Sequence, residues 1–490
     1  MHKLPSRRLQ SSRLALFVPL VLTACAVGPN YVKPETKVGD RFASFEPDAF
    51  TQDQTVTRFW SLFGDDMLDS LVADALAANH DLRIALARFT EARAARRQSR
   101  FDQFPTVTAS GGYTKERLTE DQALAAASPT REQTFYDAGF DAIWELDLFG
   151  RVRRGVEASR ADAESAEASL RDAQVIVIAE VARTYLELRG EQGRLAVARR
   201  NVQNQRDSLD LANVRLDAGR GTELDTSRAS AQLSTTLASI PPLEAAVASS
   251  IHRLGVLTGR QPTELKDRLS PARDLPAVPA VAAVGNPADL LRRRPDIRVA
   301  ERNLAAATAR VGVAVGNLFP VVSFTGTAGF AAAHIGDLGN SGTDTYLLAP
   351  GISWAALDLG RVRARISGAR ARTEGALAAY ERAVLGALEE TETALVFHAR
   401  AKERLTYITA AADASVSASR LARARYEGGI SDFLQVLDAE RTQLVAEDAL
   451  AQSRTDVATS LVAVFKALGG AWVDAPLPGA QSAQAGRGTP

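Results

Sequence analysis

Only one cysteine occurs in the 490 residues, at position 25, so no disulfide can form within the chain. Aromatic residues make up 6% of the sequence, and Ala dominates the apolar share, a composition suited to close-packed helices. Neither charge sign is in excess: 58 Lys and Arg stand against 58 Asp and Glu. That balance argues against nucleic acid as the main partner, because phosphate binding needs a basic surplus. After residue 25 no run reaches the ~20 apolar residues of a membrane-spanning helix. A bilayer crossing by this chain must therefore use strands. Chemistry is equally sparse. The five histidines, at 2, 80, 252, 334 and 398, have no ligand spacing, and no phosphate-cradling Gly loop, GxSxG elbow or usable cysteine nucleophile is present. His80, in Asn79-His80-Asp81, reads as a capping position at a helix turn. Arg292-Arg293-Arg294, just ahead of a helix start, reads as a structural ion-pair site. Neither enzymatic activity nor a metal or cofactor is expected.

What is present begins at the N-terminus. Lys3, Arg7, Arg8 and Arg13 precede a short apolar stretch, Leu14 to Leu22, the layout of a secretory signal over residues 1–24. The segment ends Leu22-Thr23-Ala24-Cys25, which resembles the lipobox of bacterial lipoproteins. The resemblance implies cleavage before Cys25 and acylation of its thiol; several acyl chains at ~0.8 kcal/mol per buried methylene make a firm anchor.

The chain repeats itself. WELDLFGRVR at 144–153 returns as WAALDLGRVR at 354–363, and Arg215-Leu216-Asp217-Ala218-Gly219 returns as Arg425-Tyr426-Glu427-Gly428-Gly429, both 210 positions on. Phe104-Pro105 returns as Phe319-Pro320, and Leu257-Thr258-Gly259 as Leu468-Gly469-Gly470. The unit is duplicated: a first repeat over 25–287, with a Pro/Ala/Val-rich linker at 260–287, and a second over 288–472. The Gly/Ala/Pro/Gln-rich tail 473–490 is expected to be disordered.

Each repeat opens with a helix, about 66–101 and 288–316, and then the period changes from 3.6 to 2. Strands are expected at 104–114, 134–149, 319–330 and 344–357. In the second of these Tyr136, Ala138, Phe140, Ala142, Trp144, Leu146 and Leu148 share a face, with Asp137, Gly139, Asp141, Glu145 and Asp147 opposite. Strands of ~10 residues with one apolar face suit an outer-membrane barrel. Four strands cannot close one, and an open edge in hydrocarbon leaves backbone groups unsatisfied. The chain must oligomerise through its strand edges.

Helical hairpins follow at 151–258 and 361–468. From Arg151 to Arg215 there is no Pro, and Val152, Ser159, Ala166 and Ala173 recur by seven, as do Val362, Ala369, Ala376 and Ala383, a coiled-coil seam with small knobs. Gly219 and Gly429 are placed to supply the left-handed residue at each hairpin turn. Pro241-Pro242 is expected to break the first return helix.

Assembled, the sequence resembles the TolC/NodT-type outer-membrane efflux lipoproteins along nearly its whole length. Cys25 with Gly28-Pro29-Asn30-Tyr31, Leu290-Leu291-Arg292-Arg293-Arg294-Pro295-Asp296-Ile297, Ala300-Glu301, Phe319-Pro320, the duplicated Trp…Gly-Arg segments and the turn at 425–440 carry the match. The resemblance implies a mixed fold, a membrane β-barrel on a long α-helical coiled-coil barrel. It implies a homotrimer forming one twelve-stranded barrel, lipid-anchored in the outer membrane, with helices in the periplasm. It also implies a periplasmic adaptor and an inner-membrane resistance-nodulation-division pump as partners, and drug or small-molecule efflux as the function. By the same resemblance the periplasmic gate falls on Leu434 and Asp438, whose i,i+4 spacing puts both on one helix face: a leucine ring to seal and a carboxylate ring to repel anions or hold cations. Gln435 stands where the export branch of the family has an acid, so this gate should be less acidic. Two other readings are compatible with these features: a duct for protein or peptide export, and a lipid-anchored coiled coil that conducts nothing.

Overall fold

A computed structural model describes residues 26–53, 56–125 and 130–470; Cys25, the signal segment and the tail lie outside them. The chain divides into two compact units, each drawing on both repeats. One comprises the described residues within 1–34, 89–166 and 299–380, the other those within 35–88, 167–298 and 381–490.

The first unit holds a four-stranded sheet. Strands β1 (Thr106–Arg117), β2 (Glu132–Leu146), β3 (Val321–Ala332) and β4 (Asp344–Ser353) lie in the order β1-β2-β3-β4, every pair antiparallel. Register puts side chains of one parity in rows. Ala109 faces Phe140, Phe140 faces Ala328 and Ala328 faces Tyr346, while the next row is Thr108, Asp141, Thr327 and Leu347. One face thus carries Val107, Tyr113, Phe140, Phe324, Phe330, Tyr346, Leu348 and Ile352. The other carries Thr108, Ser110, Asp137, Asp141, Glu145, Ser323, Thr325 and Thr327. Much of the apolar face is exposed in the single chain, Tyr346 at 77% and Ile352 at 75%, which is tenable only against lipid or a partner. Among the described residues, strands β1 and β4 have no neighbouring strand on their outer edges. No described helix is long and apolar enough to cross a membrane.

The repeat is visible in the contacts at the base of the strands. Trp144 Nε1 donates to the Gln103 carbonyl (3.1 Å), and Trp354 Nε1, 210 positions later, donates to the Leu318 carbonyl (2.9 Å). In each case the acceptor immediately precedes the duplicated Phe-Pro. Phe149 and Phe319 stack with centroids 4.7 Å apart.

The longer helices are α1 (Asp66–Ala78), α2 (His80–Phe101), α3 (Arg151–Asp217), α4 (Glu223–Leu257), α5 (Pro295–Gly316), α6 (Leu359–Glu427) and α7 (Phe433–Ala467), with a short helix Pro287–Arg293 ahead of α5. Helices α3 and α6, of 67 and 69 residues, run without a break, as Pro-free sequences allow. The single helix expected over 66–101 is two, because Asn79 leaves the helical conformation and caps: its Oδ1 accepts from Leu82 N (3.1 Å) and its Nδ2 donates to the Leu257 carbonyl at the end of α4 (2.9 Å). The cap is therefore Asn79 and not His80, which contacts Arg83. The helix expected over 288–316 likewise breaks at Arg294, which precedes Pro295 and is sterically excluded from the α region. Arg294 donates to the carbonyl of Ala467, the last residue of α7 (2.6 Å), and pairs with Asp296 and Glu390 (both 2.7 Å). Both repeats use the residue at this break to satisfy the end of their return helix.

The expected break at Pro241-Pro242 does not occur: α4 is continuous through both prolines. Both are exposed, so the Leu237 and Ala238 carbonyls that lose their N–H donors lie on a solvent-facing side where water can bond them. The linker is packed rather than free. Ala282–Ala283 pairs in parallel with Phe50–Thr51, and Leu265, Leu269 and Val284 join the second unit's core with Phe42, Phe59, Leu68, Tyr185, Leu254 and Phe465.

Candidate functional site

Two places carry the sequence-based expectations: the hairpin turns of the second unit and the segment that follows Cys25 in the first.

At the turns, α3 and α6 end alike. Gly219 and Gly429 adopt φ of +68° and +70°, a region where a Cβ is penalised. The Arg220 and Ile430 amides reach back to the Arg215 and Arg425 carbonyls (2.8 and 2.9 Å), closing Schellman motifs. Beyond the turn Phe433, Val436 and Leu437 bury against Tyr426, Ala212 and Ala229. These positions fix the rotation of α7. Leu434, 52% exposed, and Asp438, also exposed, fall together on its opposite face, with Gln435 beside them.

Polar contacts join the two turns. The Arg215 guanidinium lies 4.0 Å from the Tyr426 ring centroid and donates to the Tyr426 and Glu427 carbonyls (2.6 and 3.1 Å). Arg423 donates to Glu440 Oε1 (2.8 Å), Ser208 Oγ (2.7 Å) and the Asn204 carbonyl (2.9 Å), while Ser208 Oγ donates to the same Glu440 oxygen (2.6 Å). Glu440 is buried, and among the described residues its Oε2 has no hydrogen-bond partner. Its charge thus depends on two donors. Sequence reasoning used Arg215 and Tyr426 only as repeat landmarks and missed Ser208, Arg423 and Glu440; the one available signal was a Glu at a buried heptad position.

Cys25 lies outside the described residues, but the segment after it is held firmly. Arg154, 4% exposed, donates to the Val27 and Gly28 carbonyls (3.1 and 3.3 Å) and to Asn30 Oδ1 (2.7 Å), and pairs with Glu157 (2.7 Å). Val27 N donates to the Phe149 carbonyl (3.0 Å), tying this segment to the end of β2. A Cβ on Gly28 would stand 2.5 Å from the Gly312 backbone, so only glycine admits this approach. Tyr31 donates to Glu301 (3.1 Å) beneath the Arg302 guanidinium, and burial followed by the Glu301 charge pushes its hydroxyl up to about 12. The Gly28-Pro29-Asn30-Tyr31 motif therefore acts as a strap that fixes the segment after Cys25 against the base of the strands. Among the described residues no cluster of His, Cys, Asp and Glu could hold a metal ion.

A sheet with one apolar face and two open edges, carried with long helical hairpins, is the subunit of an oligomeric membrane channel. Residues 71–260 and 286–470 match the family model of the outer membrane efflux protein, and the chain belongs to that family. It is 32% identical over 463 residues to outer membrane protein OprJ of Pseudomonas aeruginosa, covering 94% of this chain and 95% of that one. It is 31% identical to the solvent efflux pump outer membrane protein SrpC of Pseudomonas putida, over 94% and 98% of the two chains. Among solved structures, the outer-membrane channel OprN superposes with a TM-score of 0.86 at 43% identity, over 92% of this chain and all of that one. The protein is an outer-membrane efflux channel component.

Proposed function

We propose that three copies close into one twelve-stranded barrel, lipid-anchored through Cys25, and serve as the passive exit duct of a tripartite pump for drugs or other small apolar molecules. The single observation that carries this is the pair of unpaired edges on a sheet whose apolar face is exposed. Backbone groups on β1 and β4 cannot stay unbonded in hydrocarbon, and pairing β4 of one copy with β1 of the next satisfies both. The names of relatives that handle solvent, toluene and antibiotics support small apolar cargo over peptides. A periplasmic adaptor and an inner-membrane resistance-nodulation-division pump complete the route. The gate is assigned to Leu434 and Asp438: packing of Phe433, Val436 and Leu437 turns both outward on one face of α7, where three leucines can seal and three carboxylates can select. Deleting the gene in a strain that expresses the cognate pump should raise accumulation of an efflux dye, and the wild-type gene should restore it. Unchanged accumulation would contradict the efflux reading, while loss of secreted protein without dye accumulation would favour export.

A further inference from the structure

Helix α6 begins against the usual electrostatic rule. Its first turn has no acid, yet Arg361, Arg363, Arg365, Arg370 and Arg372 follow one another from there, where the helix dipole disfavours positive charge. All five are exposed. Only Arg361 has a carboxylate partner among the described residues, Asp358 at 3.2 Å.

These arginines fall on two flanks. Val362, Ile366 and Ala369 are buried and mark the packed face of α6. Arg370, with Thr373, Glu374 and Leu377, lines a cavity shared with residues 28–34 and with Leu304 and Thr308 of α5. That flank, which helical spacing gives to Arg363 as well, faces the interior of the unit. Arg361, Arg365 and Arg372 occupy the opposite flank, on the helix that follows the edge strand β4. The end of α2, which leads into the other free edge, carries a matching stripe. Arg93, Arg97 and Arg100 are spaced i, i+4, i+7 and exposed, Arg93 lying over the Phe89 ring, and none has a carboxylate partner among the described residues. Nearby acids do not offset this stripe. Glu91 is two residues from Arg93 and so points the other way, and Asp102 acts on Arg151.

In the trimer proposed above, pairing β4 with the next copy's β1 sets the start of α6 beside the end of the neighbour's α2. Each junction then gathers six arginines against the one carboxylate of Asp358, directly below the exposed Phe101, Phe104, Trp354 and Leu357, residue types that mark a membrane–water boundary. Headgroups occupy roughly 5–8 Å on each side of the hydrocarbon. At ~1.5 Å per residue, Arg97, Arg100 and Arg361 lie at that depth, Arg93 and Arg365 lie about a turn below it within reach of their long side chains, and Arg372 is deeper.

We propose that each junction between copies binds the phosphodiester headgroup of an anionic phospholipid from the periplasmic leaflet. Arg361 and Arg365 of one copy and Arg97 and Arg100 of the next would hold it. Guanidinium suits the task because its forked donors match phosphate oxygens in pairs, and the apolar side chains above would receive the acyl chains. A lipid, and not free phosphate, is the occupant that fits this depth and that apolar border. This inference rests on the trimer reading.

The test uses full-length trimers purified from membranes in mild detergent, with copy number read by native mass spectrometry and retained phosphatidylglycerol by lipid extraction. Wild type should retain phosphatidylglycerol in preference to phosphatidylethanolamine. Arg361→Gln with Arg365→Gln, or Arg97→Gln with Arg100→Gln, should cut retention roughly threefold or more. Arg363→Gln with Arg370→Gln, which removes equal charge from the other flank, should leave it intact. Equal retention in every trimeric variant, or equal loss in the other-flank control, overturns the site alone. Thermal stabilisation by inorganic phosphate matching that by phosphatidylglycerol micelles overturns the lipid assignment. A chain that runs as a monomer overturns the trimer and the site together.

Discussion

The two hairpin turns share their backbone and differ in what holds them. In the first, Thr222 and Asp225 form a reciprocal capping box and the return helix starts from its own residues. In the second, the equivalent start at Asp432 has no side-chain cap. That turn is held from outside: Arg215 of the first repeat stacks on Tyr426, and Ser208 with Arg423 holds the buried Glu440. The helix-end caps show the same division. Asn79 secures the first repeat with a neutral amide, whereas Arg294 secures the second within a charged group of Asp296, Glu390 and Lys466. A turn closed by its own residues keeps its position when its neighbours shift. One held by a neighbour's charges can be released by changing them, which makes the second turn suited to carry a gate.

The largest effect should come from the buried carboxylate. Arg423→Ala leaves Glu440 short of a charged partner and should cost about 2–3 kcal/mol in denaturant unfolding of the hairpin end, with Glu440→Gln in the same chain recovering a good part of it. No recovery would mean that Arg423 acts by packing.

Next, the charged cap should respond to pH. Burial, then the neighbouring Asp296, raises the Asp172 carboxyl to about 6. The folded state therefore keeps this proton to higher pH than the unfolded chain does. The resulting stability is full below the unfolded value near 3.8 and is lost as pH rises through about 6. Asp172→Asn should remove a fall on the order of 1–2 kcal/mol between those limits and be the more stable protein at pH 8, measured by thermal melting across pH.

Arg215→Ala should cost about 1 kcal/mol and raise protease sensitivity at the second turn. Its repeat partner Arg425, exposed and without an ion pair among the described residues, should cost under about 0.5 kcal/mol when changed to Ala. Equal effects would break the asymmetry. At the caps, Thr222→Ala should cost about 0.5–1 kcal/mol and Asp432→Ala, the smallest effect of all, close to nothing, measured by thermal melting.

Much of this architecture is legible in the residues, for reasons that are local. Trp144 and Trp354 announce the duplication because each must bond a carbonyl at the same place in its repeat. Period-2 alternation over Tyr136 to Trp144 follows from a sheet with two different environments. Gly219 and Gly429 are readable because only certain residues tolerate their backbone. The contacts that matter at the turns are not local. Arg215 and Tyr426 meet across 211 positions, and nothing in either neighbourhood names the other. Arg154 hides in the run Arg151-Val152-Arg153-Arg154, which looks like a solvated helix start but buries one guanidinium under the strap. Pro241-Pro242 misleads because propensity describes an isolated helix, and packing along the rest of α4 outweighs two lost hydrogen bonds.

The most direct test of the proposed gate on the second turn is the resting conductance of the purified trimer in planar bilayers. Leu434→Ala with Asp438→Ala should raise it well above wild type, while Leu224→Ala with Arg228→Ala at the matching positions of the first repeat should leave it unchanged. Wild-type conductance in the Leu434/Asp438 variant would contradict the account.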